Sequence, residues 1–349
     1  MTMFFHYFRW AFAVTVLGLV LSPWLGWAST GTMQGALSFL LVGAVLAVLE
    51  ISLSFDNAIV NANKLKTMTP LWQQRFLTWG ILIAVFGMRI VFPLLIVVVA
   101  AGIGPGQALV LAWSEPAEYA RIIGEAHLSI AAFGGAFLMM VALKFFVDDA
   151  KDVHWIAILE RRMAEFSSVQ GLELAIVLAL MLILSAVLPA ADVAAFLFAG
   201  VAGLVTFLAV EVVGHLLDRA DAASEVAKGG LGAFLYLEVL DASFSFDGVI
   251  GAFALTQNLF LIAIGLGVGA MYVRSMTIML VERDTLAEFR YLEHGAFWSI
   301  LILAGVMFAQ TLVHVPEVLT GLVGAGFIGL SLWSSLRHRK SERAAGRAA

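Results

Sequence analysis

Long apolar stretches dominate the chain, and its polar positions gather in short clusters between them. An apolar run of about 18 residues can cross a hydrocarbon core of roughly 30 Å as a helix, which satisfies its own backbone hydrogen bonds where water cannot. The pattern predicts ten such spans, at 11–28, 35–61, 76–101, 126–147, 172–188, 193–213, 230–256, 259–281, 295–313 and 317–334. The expected fold class is therefore all-α polytopic membrane protein. The longest polar stretches, 100–125 and 148–171, are too short for an independent domain.

Charge tests this count, because Lys and Arg concentrate in cytoplasmic loops. With the N-terminus inside, the cytoplasmic segments hold Arg9; Lys64, Lys66 and Arg75; Lys151, Arg161 and Arg162; Arg219 and Lys228; Arg283 and Arg290; and Arg337, Arg339 and Lys340. The other side holds Arg121, in a loop with Glu115, Glu118 and Glu125. This asymmetry supports the ten spans and puts both termini in the cytoplasm. The first span has a second reading: Arg9, the apolar stretch and Gly26-Trp27-Ala28 before Ser29 also fit a cleavable signal peptide. Its removal would leave nine spans with every later orientation unchanged.

Composition agrees. Hydrophobic residues make up 62% of the chain and charged ones 13%, against roughly a quarter charged in soluble domains, and mean hydropathy is +0.98. The lipid bilayer is thus the first partner, and the net charge of −5 says little about others. The absence of cysteine excludes disulfides, thiolate metal sites and thiol redox chemistry. No phosphate-binding Gly-rich loop, nucleotide fingerprint or basic nucleic-acid stripe occurs.

Two acid-bearing stretches break the apolar pattern. "EISLSFDNAIV" runs from Glu50 to Val60 and "LDASFSFDGVI" from Leu240 to Ile250. Aligned on Ser-Phe-Asp, Asp56 matches Asp247, Ser54 matches Ser245, Asn57 matches Gly248 and Glu50 matches Asp241, with Glu238 an extra acid in the second copy. An arginine follows in the next span of each half, Arg89 after "GM" and Arg274 after "GAMYV", and the third spans carry "GGAF" and "HGAF". The expected orientation runs the Asp56 span inward and the Asp247 span outward, giving an inverted three-helix repeat. The chain then divides into 1–34, an N-terminal transmembrane helix or signal anchor; 35–147, the first repeat; 148–229, a connecting loop and two helices; 230–313, the second repeat; and 314–349, the last helix and a basic cytoplasmic tail. Inverted repeats with a mid-membrane site on interrupted helices are a recurrent transporter design.

Ionised carboxylates within a membrane are costly and mark ion paths, proton relays or charge partners. On an unbroken helix Glu50 and Asp56 stand about 240° and about 9 Å apart, so either the backbone is interrupted between them or they form two layers. Interrupted helices are expected in both copies, with Gly248 and Gly251 easing the second break. The candidate metal ligands are Glu50, Asp56, Asn57, Glu238, Asp241 and Asp247, with Ser54 and Ser245 as additional oxygen donors and Arg89 and Arg274 as charge partners. An oxygen-rich, sulfur-free site suits Mn²⁺, Mg²⁺ or Ca²⁺. The five acids and two arginines carry a formal charge of −3, which one divalent ion brings to −1. Protons competing for the same oxygens would couple metal export to proton entry. Lys144 is read as snorkelling, Glu211 with His215 as a surface pair near Asp218 and Arg219, and His127, His294 and His314 as unremarkable residues at span ends.

At these motifs the sequence resembles the TerC family of bacterial membrane proteins, named for tellurium resistance. "ExSLSFDNAxV" is similar to that family's first-half acid and Asp-Asn pair, and "LEVLDASFSFDGVIGAFALT" to its second-half signature, over roughly residues 35–310. Gly248-Val249-Ile250-Gly251 departs from the Ser-Ile-Pro-Ala run of many members. The resemblance implies a bacterial inner-membrane exporter of the lysine-exporter type, with Mn²⁺ as transported ion and metal-site roles for the matched acids. A non-enzymatic transporter is expected, and a homo-oligomer is compatible with it. Two alternatives stand beside it: an intramembrane aspartyl protease, against which the absence of Gly-x-Gly-Asp counts, and a non-transporting membrane component of a tellurium or metal-stress resistance complex.

Overall fold

The computed structural model describes residues 2–80, 83–148, 151–166, 168–221, 230–283, 289–313 and 315–345; the side chains of a few of these, Asp247 and His215 among them, lie outside the described set. Among the described residues there is no strand. Among the described residues seven helices are long and apolar enough to cross a membrane, and an eighth span arises if the pair 86–101 and 105–114, bent by 104°, is counted as one. The chain is all-helical and fits a multi-pass membrane protein. Its outer surface agrees: Val20, Leu41, Val48, Val99, Phe198 and Leu322 are exposed apolar side chains, as a lipid-facing surface requires.

In chain order, α1 (Thr2–Thr30) is followed by α2 (Met33–Leu53), α3 (Phe55–Lys66) and the short α4 (Pro70–Arg75). Two π-helical stretches, Phe76–Gly80 and Ile83–Val91, lead into α5 (Phe92–Ala101). Then come α6 (Pro105–Ser114), α7 (Pro116–Glu125), α8 (His127–Val147), α9 (Ala157–Ala164), α10 (Leu172–Ser185), α11 (Ala190–Asp221), α12 (Leu231–Leu255), α13 (Leu259–Glu282), α14 (Leu292–Gln310) and α15 (Glu317–Ala345). Local chemistry explains several boundaries. Thr32 caps α2 by accepting from the Gly35 N–H, Asn258 caps α13 by accepting from Leu261 N–H, and Gly102 closes α5 in the left-handed region at φ +64°, which glycine enters without a Cβ penalty.

Three expected spans take other forms. The 76–101 segment is largely π-helical before α5, the 172–188 segment is a 14-residue helix, and α12 has the length to cross but carries Glu238, Asp241 and Asp247. The interruption expected in the first copy is present at Ser54, between α2 and α3, with φ −95° and ψ 19°. The interruption expected in the second copy is absent, because α12 is continuous from Leu231 to Leu255. There Ser243 bonds back to Val239 O within the helix, and Gly248 serves close packing: a Cβ on it would stand 3.2 Å from Glu50 Oε2. The glycine makes room for a neighbour instead of breaking its own helix.

The packing is reciprocal. α2 and α3 lie against α13, α12 lies against the second π-helical stretch, and α8 lies against α14. Gly269 admits α2 closely, since a Cβ on it would meet Glu50 Cγ at 2.2 Å. Arg89 donates from Nε to Leu266 O in α13, and Arg274 donates from Nε to Leu77 O in the first π-helical stretch. Arg89 thus clasps the main chain of the helix that carries Arg274, and Arg274 that of the stretch just before the one that carries Arg89.

Candidate metal site

The break at Ser54 places Asp56 in the first turn of α3, where unpaired N–H groups and the helix dipole favour an anion. Asp56 Oδ1 accepts from the Asn57 N–H at 2.8 Å and Oδ2 from Ser299 Oγ at 2.7 Å. Asn57 and Asn61, four apart, share one face of α3 and both reach Asp241 of α12; the Asn61 Nδ2 donates to Asp241 Oδ1 at 2.9 Å. Glu50, one layer away, is held by Arg89 Nη2 at 2.5 Å, and Arg89 also reaches Ser245 Oγ at 3.5 Å. All of these side chains are at least nine-tenths buried.

Among the described residues, Asn57 Oδ1 and Asn61 Oδ1 in this nest and both carboxyl oxygens of Glu238 on α12 have no hydrogen-bond partner. Buried acceptors without donors are uncommon in folded proteins and call for an explanation such as an ion. Glu238 fits beside the backbone because residue 80 is glycine; a Cβ there would lie 2.6 Å from Glu238 Oε1. Two small cavities, each of about 40 Å³, meet at Asn57. One is lined by Asn61, Asp241, Ser245, Arg89, Arg274 and Leu77. The other is lined by Glu50, Ser54, Asp56, Ser299 and Thr320.

Thus the structure brings Asn57, Asp241, Ser245 and Arg89 around one cavity and Glu50, Ser54 and Asp56 around the other, and of the two ways in which Glu50 and Asp56 can be arranged it shows both, a broken backbone and two layers. Among the described residues no group of three or more His, Asp or Glu converges as a ready metal cluster. The side chain of Asp247 lies outside the described residues. Among the described residues Arg274 bonds main chain, at Leu77 O. Lys144 and Glu211 form an ion pair across α8 and α11, in place of the surface pairing expected for Glu211, and line a cavity of about 570 Å³; His314 lies outside the described residues. The sequence reading passed over Asn61, Ser299 and Glu160. The four-residue spacing from Asn57 could have flagged Asn61, whereas nothing local marks Ser299 or Glu160. His294, read as unremarkable, is the close partner of Glu160 at 2.8 Å.

The profile of a family described as "Protein of unknown function (DUF475)" matches residues 55–342. The chain belongs to this family. The matched DUF475 region starts at Phe55, so it takes in Asp56, Asn57, Asn61, Arg89 and the whole α12 motif while leaving Glu50 and Ser54 outside. No curated protein matches the chain, and no solved structure matches it.

Proposed function

We propose that this protein exports a hard divalent cation, Mn²⁺ foremost, across the bacterial inner membrane by alternating access at the oxygen nest between α3 and α12. The observation that carries this reading is the set of unpartnered buried oxygens on Asn57 and Asn61, which line one cavity with Asp241, Asn57 also lining the Asp56 cavity, together with those of Glu238 against Gly80, itself in the lining of the first. Carboxylates with amide and hydroxyl oxygens are the donors that Mn²⁺ and Mg²⁺ take, and no sulfur is available. Arg89 on Glu50 is the charge that neutralises the site when the cation is elsewhere, and an arriving ion competes with it. Two cavities share Asn57, one lined also by Leu77 and Arg274 and the other by Thr320 and Gly324, and in this reading the site is reached through them in turn. The packing of α2 and α3 on α13 and of α12 on the second π-helical stretch is what an inverted repeat would produce, and the reading keeps the cytoplasmic termini that the Lys and Arg distribution implies. Similarity of the two acidic motifs to the TerC family points the same way, and proton entry in exchange for metal belongs to the same proposal.

The test is manganese tolerance and cellular manganese content in cells carrying the wild type, Asp56→Asn, Asp241→Asn or Asp247→Asn at matched membrane levels. The wild type should lower cellular manganese and the variants should not. Equal protection by all four would refute the site.

A further inference from the structure

A second buried carboxylate cluster lies away from the candidate metal site, on the segment between α8 and α10. Glu160 of α9 is 2% exposed, and its carboxylate is surrounded by donors. Oε1 accepts from the Ile156 N–H at 3.1 Å and from Trp298 Nε1 at 2.9 Å. Oε2 accepts from the Trp155 N–H at 2.9 Å and faces His294 Nδ1 at 2.8 Å, with His154 Nδ1 at 3.8 Å. Two of these bonds are local and shape the start of α9. The Trp298 bond crosses to α14, and so does the close approach of His294.

What α14 does next gives this contact its meaning. Trp298, bonded to Glu160, is followed by Ser299, whose hydroxyl is bonded to Asp56. One turn on, Leu303 lines the Asp56 cavity, which Thr320, Gly321 and Gly324 of α15 line as well. The same loop reaches α15 as well: the Trp155 ring stands edge-on to Phe327 at 6.2 Å, and Trp298 stacks on Phe327 at 6.3 Å. Residues 151–166 therefore pin, through one carboxylate and one indole, both helices that frame the Asp56 cavity. Charge-assisted hydrogen bonds in a dry setting are the strong ones, so the helices separate at this end only after Glu160 lets go.

We propose that Glu160 is the catch of a strap, residues 151–166, that holds α14 and α15 together over the Asp56 cavity and must release for that cavity to open on the strap's side of the membrane. The transport reading is needed only to say what the opening serves; the catch is a property of the fold. Glu160 is a positioning residue, acting on Ser299 through the rigid turn that carries Trp298.

The chain has no cysteine, so Leu303→Cys installs a single thiol in the cavity wall. Its reaction with a membrane-impermeant maleimide is timed in inside-out and right-side-out vesicles, with Glu160→Gln or Trp298→Phe added. Loss of the charge-assisted bond should raise labelling from the strap's side about tenfold, Trp298→Phe should raise it less, and labelling from the other side should not rise. Unchanged labelling from the strap's side in both variants overturns the catch, as does an equal rise from both sides, which would mean general loosening. If Glu160→Gln does not reach the membrane, Trp298→Phe decides by the same criteria. Mn²⁺ is then added to the Leu303→Cys protein: faster labelling with the variants but no effect of Mn²⁺ leaves the catch standing and removes the metal reading instead.

Discussion

The ion pair between Glu50 and Arg89 offers the sharpest energetic test of the buried site. Both side chains are at most 7% exposed, and the Nη2 to Oε1 distance is 2.5 Å. Removing one member of such a pair strands the other charge in a low-dielectric interior, which costs about 3–5 kcal/mol. Glu50→Gln should cost this amount because Arg89 stays charged. Arg89→Gln should cost the same or somewhat more, since it also loses the bonds to Leu266 O and Ser245, each worth about 1 kcal/mol. In the double variant no charge is stranded, so its cost should fall short of the summed single costs by at least about 2 kcal/mol. Reversible unfolding of the purified protein in detergent, monitored over a denaturant series, gives the three free energies. Strict additivity would refute the pairing and with it the idea that Arg89 stands in for the cation. Opposing the cost of the single variants, Mn²⁺ should stabilise Arg89→Gln more than the wild type, because the competing guanidinium is gone.

Two further predictions follow from packing and protonation. Gly269→Ala should destabilise by about 1–3 kcal/mol, because its Cβ would sit 2.2–2.4 Å from Glu50 side-chain carbons, while Gly305→Ala in α14 meets nothing within 4 Å and should be neutral or slightly stabilising by helix propensity; equal thermal shifts for the two would contradict the close approach of α2 to α13. For Glu160, burial pushes the carboxyl up, but hydrogen bonds from His294, Trp298 and the Ile156 N–H outweigh it and hold it at about 2, below its ordinary 4.5. A depressed folded-state value stabilises fully above 4.5 and is lost as pH falls toward about 2, so the stability advantage of wild type over Glu160→Gln should shrink across that window, and a constant difference would show that the carboxylate is not held this way.

Hydropathy alone located most of the helices, since the cost of leaving backbone groups unpaired in lipid is sequence-wide and local. The duplicated acids were legible for the same reason: a carboxylate in an apolar run stands out wherever it sits. The break at Ser54 was readable, yet the matching break in α12 did not form, because the fate of Gly248 depends on Glu50 packing against it from a helix far away in the chain. Asn61 was within reach of the sequence by its spacing from Asn57. Ser299, Glu160 and Trp298 were not, for each is an ordinary residue until folding sets it opposite a partner over 100 positions distant. The sequence by itself determined that this chain is built for a bilayer and that it carries two acidic segments there, because hydrophobicity and charge are properties of single residues and their near neighbours. Only the tertiary structure decided which acid faces an arginine, which faces a hydroxyl and which oxygens are left without a donor, because those outcomes depend on distances between helices that no local pattern encodes.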